Sequence, residues 1–240
     1  MVTLRISSTE VQNNFGKYLV LATHEDIIIT RNGTEVAKLT TKLQETDVVR
    51  EKYEISGYGE KASYEEFLEL RKHSDERYEY IDGEIYLLSS PKTAHQFAVT
   101  QLIVELSNCF QDTDCTPFVA PYDIELKKPN GEINMVQPDL MVICDLDDKL
   151  GEDDYYKGVP TLVMEVLSNS TRRKDLLIKT ALYRDCGVKE YWIINPDEKQ
   201  VMIYHFDQDN VEVTTFKIGE IATSYTFEEL TIKVEDVFRG

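Results

Sequence analysis

The apolar positions of this chain repeat with different periods, and the changes of period outline its elements. Val11, Phe15, Leu19 and Val20 recur at helical spacing behind Ser8 or Thr9, either of which suits an N-cap, so a helix is predicted from about Thr9 to Ala22. Ile27, Ile28 and Ile29 form a β-branched run, Asn32-Gly33 supplies a turn that tolerates positive φ, and Val36 to Leu39 return as a second strand. Residues 46–62 lose this periodicity, carry Gly57 and Gly59, and read as a linker.

Beyond the linker, Ser63 and Glu66 stand at capping-box spacing before Phe67, Leu68 and Leu70, predicting a short helix. Tyr78, Tyr80, Ile85 and Leu87 flank Asp82-Gly83 as a hairpin. His95, Ala98, Val99, Leu102 and Leu106 then follow a helical stripe. The apolar stretches around 118–126, 135–144 and 161–167 are too short for helices and rich in Val, Ile and Leu, as buried strands are. Arg172 to Cys186 reads as a helix closed by Gly187, and Tyr191–Ile194 and Val201–Phe206 as strands around Pro196-Asp197. The order predicts an α/β domain over 63–240 with a central mixed sheet, behind a small α+β unit over 1–45. So small a unit buries little apolar surface alone and is expected to pair with a second copy, making the protein a dimer.

Composition changes the picture in two places. An apolar fraction of 42% and an aromatic fraction of 10% are those of a folded globular chain. The net charge of -18 opposes generic affinity for nucleic acid, which comes from Lys and Arg neutralising phosphates. The first 45 residues balance five basic against five acidic groups, so the whole excess lies in the remainder, where carboxylates gathered for a cation would account for part of it. Cys109, Cys115, Cys144 and Cys186 form no CxxC pair and read as reduced structural thiols. With no targeting segment and no run of about 20 apolar residues, the expected location is cytoplasmic, with no membrane partner.

Candidate chemistry sits in VQPDLMVI (136–143) and TLVMEVLS (161–168), each read as a core strand interrupted by one carboxylate, Asp139 and Glu165. A carboxylate in such surroundings must find a cation or hydrogen bonds, or be neutralised. Two of them suit a hard divalent ion, Mg2+ or Mn2+. Lys179 lies four residues after Asp175 on the predicted helix, along a stripe continued by Leu182 and Cys186, and so faces the sheet. An ammonium there would position attacking water and offset charge on a phosphoryl transition state. Surface-facing carboxylates and an ordinary intrahelical ion pair are the plainer alternative. A glycosidase using the two carboxylates would need a wide aromatic cleft, which a lone Trp192 in a strand does not promise.

Two resemblances sharpen these readings. The segment Ile6 to Leu39 is similar to the Phd/YefM antitoxins, which implies dimerisation, operator DNA binding and a toxin as a further partner. The stretch from Tyr64 to Phe206, above all QPDL, EVLSNST, the D-x-x-x-K of 175–179 and GVKEYWIIN, resembles the Uma-type restriction endonucleases of the PD-(D/E)XK nuclease superfamily. That resemblance implies a restriction-endonuclease-like core and a Mg2+-dependent endonuclease acting on DNA, with Asp139 and Glu165 as metal ligands and catalytic together with Lys179. The superfamily places its lysine two positions after the second acid, where this chain has Leu167, so Lys179 is expected to act from the next helix. Thr161 and Asn169 also depart from the usual Asp and Pro. Glu79 and His95 match family positions near the metal and are supporting candidates. The competing expectation is a non-catalytic DNA- or protein-interaction module of regulatory type.

Overall fold

The computed structural model describes residues 4–13, 18, 22, 27–31, 33–39, 58–168, 174–207 and 210–239. In the first part, strand β1 (Leu4–Ser7) leads into helix α1 (Ser8–Asn13), followed by β2 (Ile27–Arg31) and β3 (Thr34–Leu39). β1 runs parallel and β3 antiparallel to β2, with Gly33 at φ 79° in the turn the sequence predicts. Val11, Tyr18, Ala22 and Ile27 form its small core. Most of the predicted helix beyond Asn13 lies outside the described residues.

Residues 58–239 open with β4 (Tyr58–Lys61), helix α2 (Tyr64–Lys72) and the hairpin β5 (Tyr78–Ile81) and β6 (Glu84–Leu87). The capping box of α2 is formed, Ser63 and Glu66 bonding each other's backbone N–H. Helix α3 (Thr93–Phe110) leads to β7 (Thr116–Val119), β8 (Ile124–Lys127), β9 (Ile133–Val136) and β10 (Leu140–Ile143). A short helix α4 (Leu146–Lys149) precedes β11 (Leu162–Val166). A π-helical turn, Lys174–Lys179, runs directly into helix α5 (Thr180–Asp185), after which come β12 (Glu190–Asn195), β13 (Gln200–Asp207), β14 (Asn210–Lys217), β15 (Ile221–Thr223), β16 (Thr231–Lys233) and α6 (Val234–Val237).

These strands make two main sheets. The six-stranded sheet has the order β14-β13-β12-β11-β10-β7 and is mixed, because β11 and β12 are parallel and the other pairs antiparallel. Strands β10, β11 and β12 are buried along their whole length, which is why their sequences are apolar apart from Glu165, Glu190 and Asn195. One face packs Leu140, Val142, Met164 and Trp192 against Leu102 and Leu106 of α3. The other packs Met141, Val163, Tyr191 and Ile193 against Leu182 and Tyr183 of α5 and against the second sheet, β4-β6-β5-β9-β8. Among the described residues no helix is long and apolar enough to cross a membrane.

Several sequence expectations change here. The run 136–143 is not one strand: Gln137-Pro138-Asp139 breaks it, with β9 in one sheet and β10 in the other. Proline has no N–H for a ladder, so the chain crosses between sheets at that point. The run 118–126 divides in the same way, into β7 and β8, across Ala120-Pro121. The end of the supposed linker, Tyr58–Lys61, is an edge strand on β6, since backbone pairing needs no apolar pattern. The helix expected over 172–186 is a π turn and then an α-helix, with residues 169–173 outside the described set. Cys115 and Cys144, read as reduced thiols, are joined in a disulfide, because the antiparallel register that sets Ile143 opposite Thr116 continues to bring them face to face. Cys109 and Cys186 are free thiols.

Candidate active site

Asp139 and Glu165 meet because of strand register. In the antiparallel pair β10–β11, Leu140 is opposite Met164, and continuing by one position sets Asp139 opposite Glu165. The backbone N–H of Val166 donates to Asp139 Oδ2 at 2.9 Å, fixing the arrangement. His95, in the first turn of α3, contacts the same oxygen through Nε2 at 3.0 Å. Asp139 keeps 21% of its side chain exposed, whereas Glu165 is buried at 4%. Glu165 Oε1 accepts from Lys179 Nζ at 2.6 Å and from the Tyr183 hydroxyl at 2.7 Å. Among the described residues these bonds fall on one oxygen of each carboxylate, which leaves Asp139 Oδ1 and Glu165 Oε2 for a further partner.

Glu79 stands on β5 of the other sheet and is fully buried. Its Oε1 accepts from the Gln137 N–H at 3.0 Å and lies 2.8 Å from Lys179 Nζ, while its Oε2 accepts from Lys174 Nζ at 2.5 Å. Lys174 also lies over the Tyr86 ring, 5.4 Å from its centroid. Asp175, buried beside them, is 3.8 Å from Lys179. Gln137 continues the network outward, donating from Nε2 to Asp123, which pairs with Arg71.

All of these groups except Tyr183, Tyr86 and the Asp123–Arg71 pair line one cavity of about 630 Å³, whose mouth includes Arg77, Ser90, Lys92 and Gln96. The structure therefore brings Asp139, Glu165, Lys179, Glu79 and His95 to one place. Sequence reasoning missed Lys174 and Tyr183. Tyr183 was findable, being four residues beyond Lys179 on the same helical stripe. Lys174 was not, because at about 100° per residue an α-helix would put it roughly 140° away from Lys179.

The electrostatics follow from burial. Removal from water pushes the Glu165 carboxyl up to about 8 against the pull of Lys179, with Asp175, Asp139 and Glu79 adding to the rise. Burial acts on Glu79 in the same sense, yet Lys179 and Lys174 outweigh it and hold that group down to about 2. Burial also opposes charge on Lys179, but Glu165, Glu79 and Asp175 keep it charged well above the usual range. Glu79, Asp139, Glu165 and Asp175 thus share the cavity wall with Arg77, Lys92, Lys174 and Lys179, and a divalent cation held by Asp139 and Glu165 would favour the ionised form of Glu165. Among the described residues no three His, Cys, Asp or Glu side chains already meet as a metal cage. Asp139 and Glu165 fit an ion of the magnesium type, which takes one or two carboxylates and keeps several waters.

Residues 64–235 match the model of the Uma2 family, which carries the description "Putative restriction endonuclease". An uncharacterized protein of Synechocystis sp. is 29% identical over 150 residues, covering 62% of this chain and 76% of its own length. The fold matches the crystal structure of a protein from Anabaena variabilis described as a "putative nuclease", with a TM-score of 0.58 and 20% identity over 72% of this chain and 96% of that one.

Proposed function

We propose, from the premise that this chain belongs to the Uma2 family of restriction-endonuclease-like proteins, that it is a Mg2+- or Mn2+-dependent endonuclease acting on DNA. One observation carries the reading: Asp139 and Glu165 face each other across β10–β11, each with one oxygen pinned, beside a buried lysine in an open cavity. Asp139 Oδ1 and Glu165 Oε2 are the atoms that would hold the cation. When bound, such an ion supplies Lewis-acid polarisation of the phosphodiester and makes water a better nucleophile at neutral pH. His95 and the Val166 N–H keep the Asp139 carboxylate from rotating away. Lys179 holds an ammonium next to Glu165, where it orients the attacking water and offsets charge developing on the phosphoryl oxygens. Tyr183, donating to Glu165 Oε1, fixes the rotamer that leaves the second oxygen turned away.

Residues 1–45 we assign to pairing with a second copy of the chain. The test of the catalytic reading is nicking of supercoiled plasmid in Mg2+ and Mn2+. Wild type should convert it to open circle, and Asp139→Asn should lose at least about a hundredfold in rate while retaining its circular dichroism. No cleavage of plasmid, linear duplex or single strand in either ion would sink it. The second reading, a non-catalytic interaction module, is favoured by the net charge of -18, which opposes tight binding along a phosphate backbone.

A further inference from the structure

We propose that Lys174 and Lys179 act as a pair on the scissile phosphodiester, held at fixed spacing by Glu79, which is a positioning residue and not a metal ligand. The inference rests on the nuclease reading and assigns three roles within that site. Glu79 is occupied on both oxygens by cationic donors, Lys174 at 2.5 Å and Lys179 at 2.8 Å, with the Gln137 N–H added to Oε1. A divalent ion brought to Glu79 would lie against both ammonium groups, and the carboxylate is fully buried at the base of the cavity. Glu165 differs: among the described residues its hydrogen bonds, from Lys179 and Tyr183, fall on one oxygen.

The division of labour follows. A cation that draws Glu165 toward itself weakens one of the two close contacts of Lys179, and the contact to Glu79 keeps that ammonium in place. Lys174 is the second cation lining the cavity floor, buried to 4% of its side chain and backed by the Tyr86 ring. Burying a lysine is costly, and five residues before another on an α-helix it would point elsewhere. The π turn over Lys174–Lys179 removes that mismatch, since its wider repeat returns residues i and i+5 to nearly the same side. A local irregularity that brings two ammonium groups onto one carboxylate inside the substrate cavity is the arrangement a dianionic phosphoryl transition state requires.

The test compares wild type, Lys174→Met and Glu79→Gln in two assays. One is plasmid nicking in Mg2+; the other is anisotropy of a labelled 20-base-pair duplex in Ca2+, read across salt concentrations. Lys174→Met should lower kcat at least tenfold and reduce the slope of log affinity against log salt by about 0.9. Glu79→Gln should lower kcat at least tenfold while duplex affinity holds or tightens, because a negative charge leaves a site that binds an anion. A structural role alone would weaken both readouts together. Should either variant fail to fold, the double variant removes the buried ion pair as a unit, and it should fold and retain the loss of kcat. The pair is overturned if Lys174→Met nicks and binds as wild type does. The positioning role is overturned if Glu79→Gln abolishes the thermal shift that Mg2+ gives the wild type. A wild type that neither nicks nor binds DNA refutes the nuclease reading and the pair with it, whereas an active wild type with an equally active Lys174→Met refutes the pair alone.

Discussion

Addition of Mg2+ at pH 7 should expel close to one proton per site, with Glu165 as its source. Burial, together with Asp175, Asp139 and Glu79, holds this carboxyl at about 8, above its ordinary 4.5. One pH unit below such a value the group is protonated about ten times in eleven, so binding that demands the ionised form releases about 0.9 proton. At pH 9 the same arithmetic leaves about 0.1. Titration calorimetry in buffers of different ionisation enthalpy measures this number directly, as the slope of observed heat against buffer enthalpy. The same group biases folding: because its folded value lies above the unfolded one, its contribution to stability is full below pH 4.5 and is lost as pH rises toward 8. Mg2+ binds the form favoured on the alkaline side, so the gain in Tm should be larger at pH 8.5 than at pH 6. Glu165→Gln has no proton to give and should show neither effect. A slope of zero at pH 7 with binding clearly present, or an unchanged slope in Glu165→Gln, would refute the reasoning.

Glu79 predicts the opposite pH dependence: held down to about 2, it stabilises the fold above pH 4.5 and loses that contribution as pH falls toward 2, so Glu79→Gln should flatten acid unfolding followed by circular dichroism. Tyr183→Phe removes the hydroxyl that bonds buried Glu165 and should cost about 1–3 kcal/mol in denaturant titration; an unchanged midpoint would contradict that bond. Glu190 accepts from Trp192 Nε1, Ser224 Oγ and the N–H groups of Tyr225 and Thr226, so Glu190→Ala should destabilise by more than about 2 kcal/mol without changing activity per folded molecule. Light scattering at micromolar concentration should report a dimer that reverts to monomer when residues 1–45 are deleted, and a monomeric full chain would dispose of the assigned pairing role.

Elements with a strong local cause were legible in the sequence. The Ser63/Glu66 capping box, the Asp82-Gly83 hairpin, the α3 stripe and the Gly187 end of α5 need only near neighbours, and the structure has each of them. What failed depended on distant partners. Asp139 looked like a strand residue because Val136 and Leu140–Ile143 are all apolar, and only the sheet assembly shows that they belong to different layers. Residues 210–237 carry mixed patterns that predict little, and become β14, β15, β16 and α6 by pairing with β13, with each other and with α3. In the site, Asp139, Glu165 and Lys179 stood out as single polar groups in apolar settings. Lys174 sat in a basic run, RRK, that reads as solvated surface, and only the π turn carries it inward.

The placement of the charged cluster has a mechanical side. Glu79 belongs to the five-stranded sheet and Glu165 to the six-stranded one, so Lys179, bonded to both, is a rivet through the seam between the layers. Gln137 and Asp139 are the hinge where the chain itself crosses that seam. Any ligand that competes for Glu165 therefore acts on the clamp between two layers as well as on a side chain. The separation of the sheets is then expected to respond to what occupies the cavity, and spin labels on β6 and β13 would register the change as a distance.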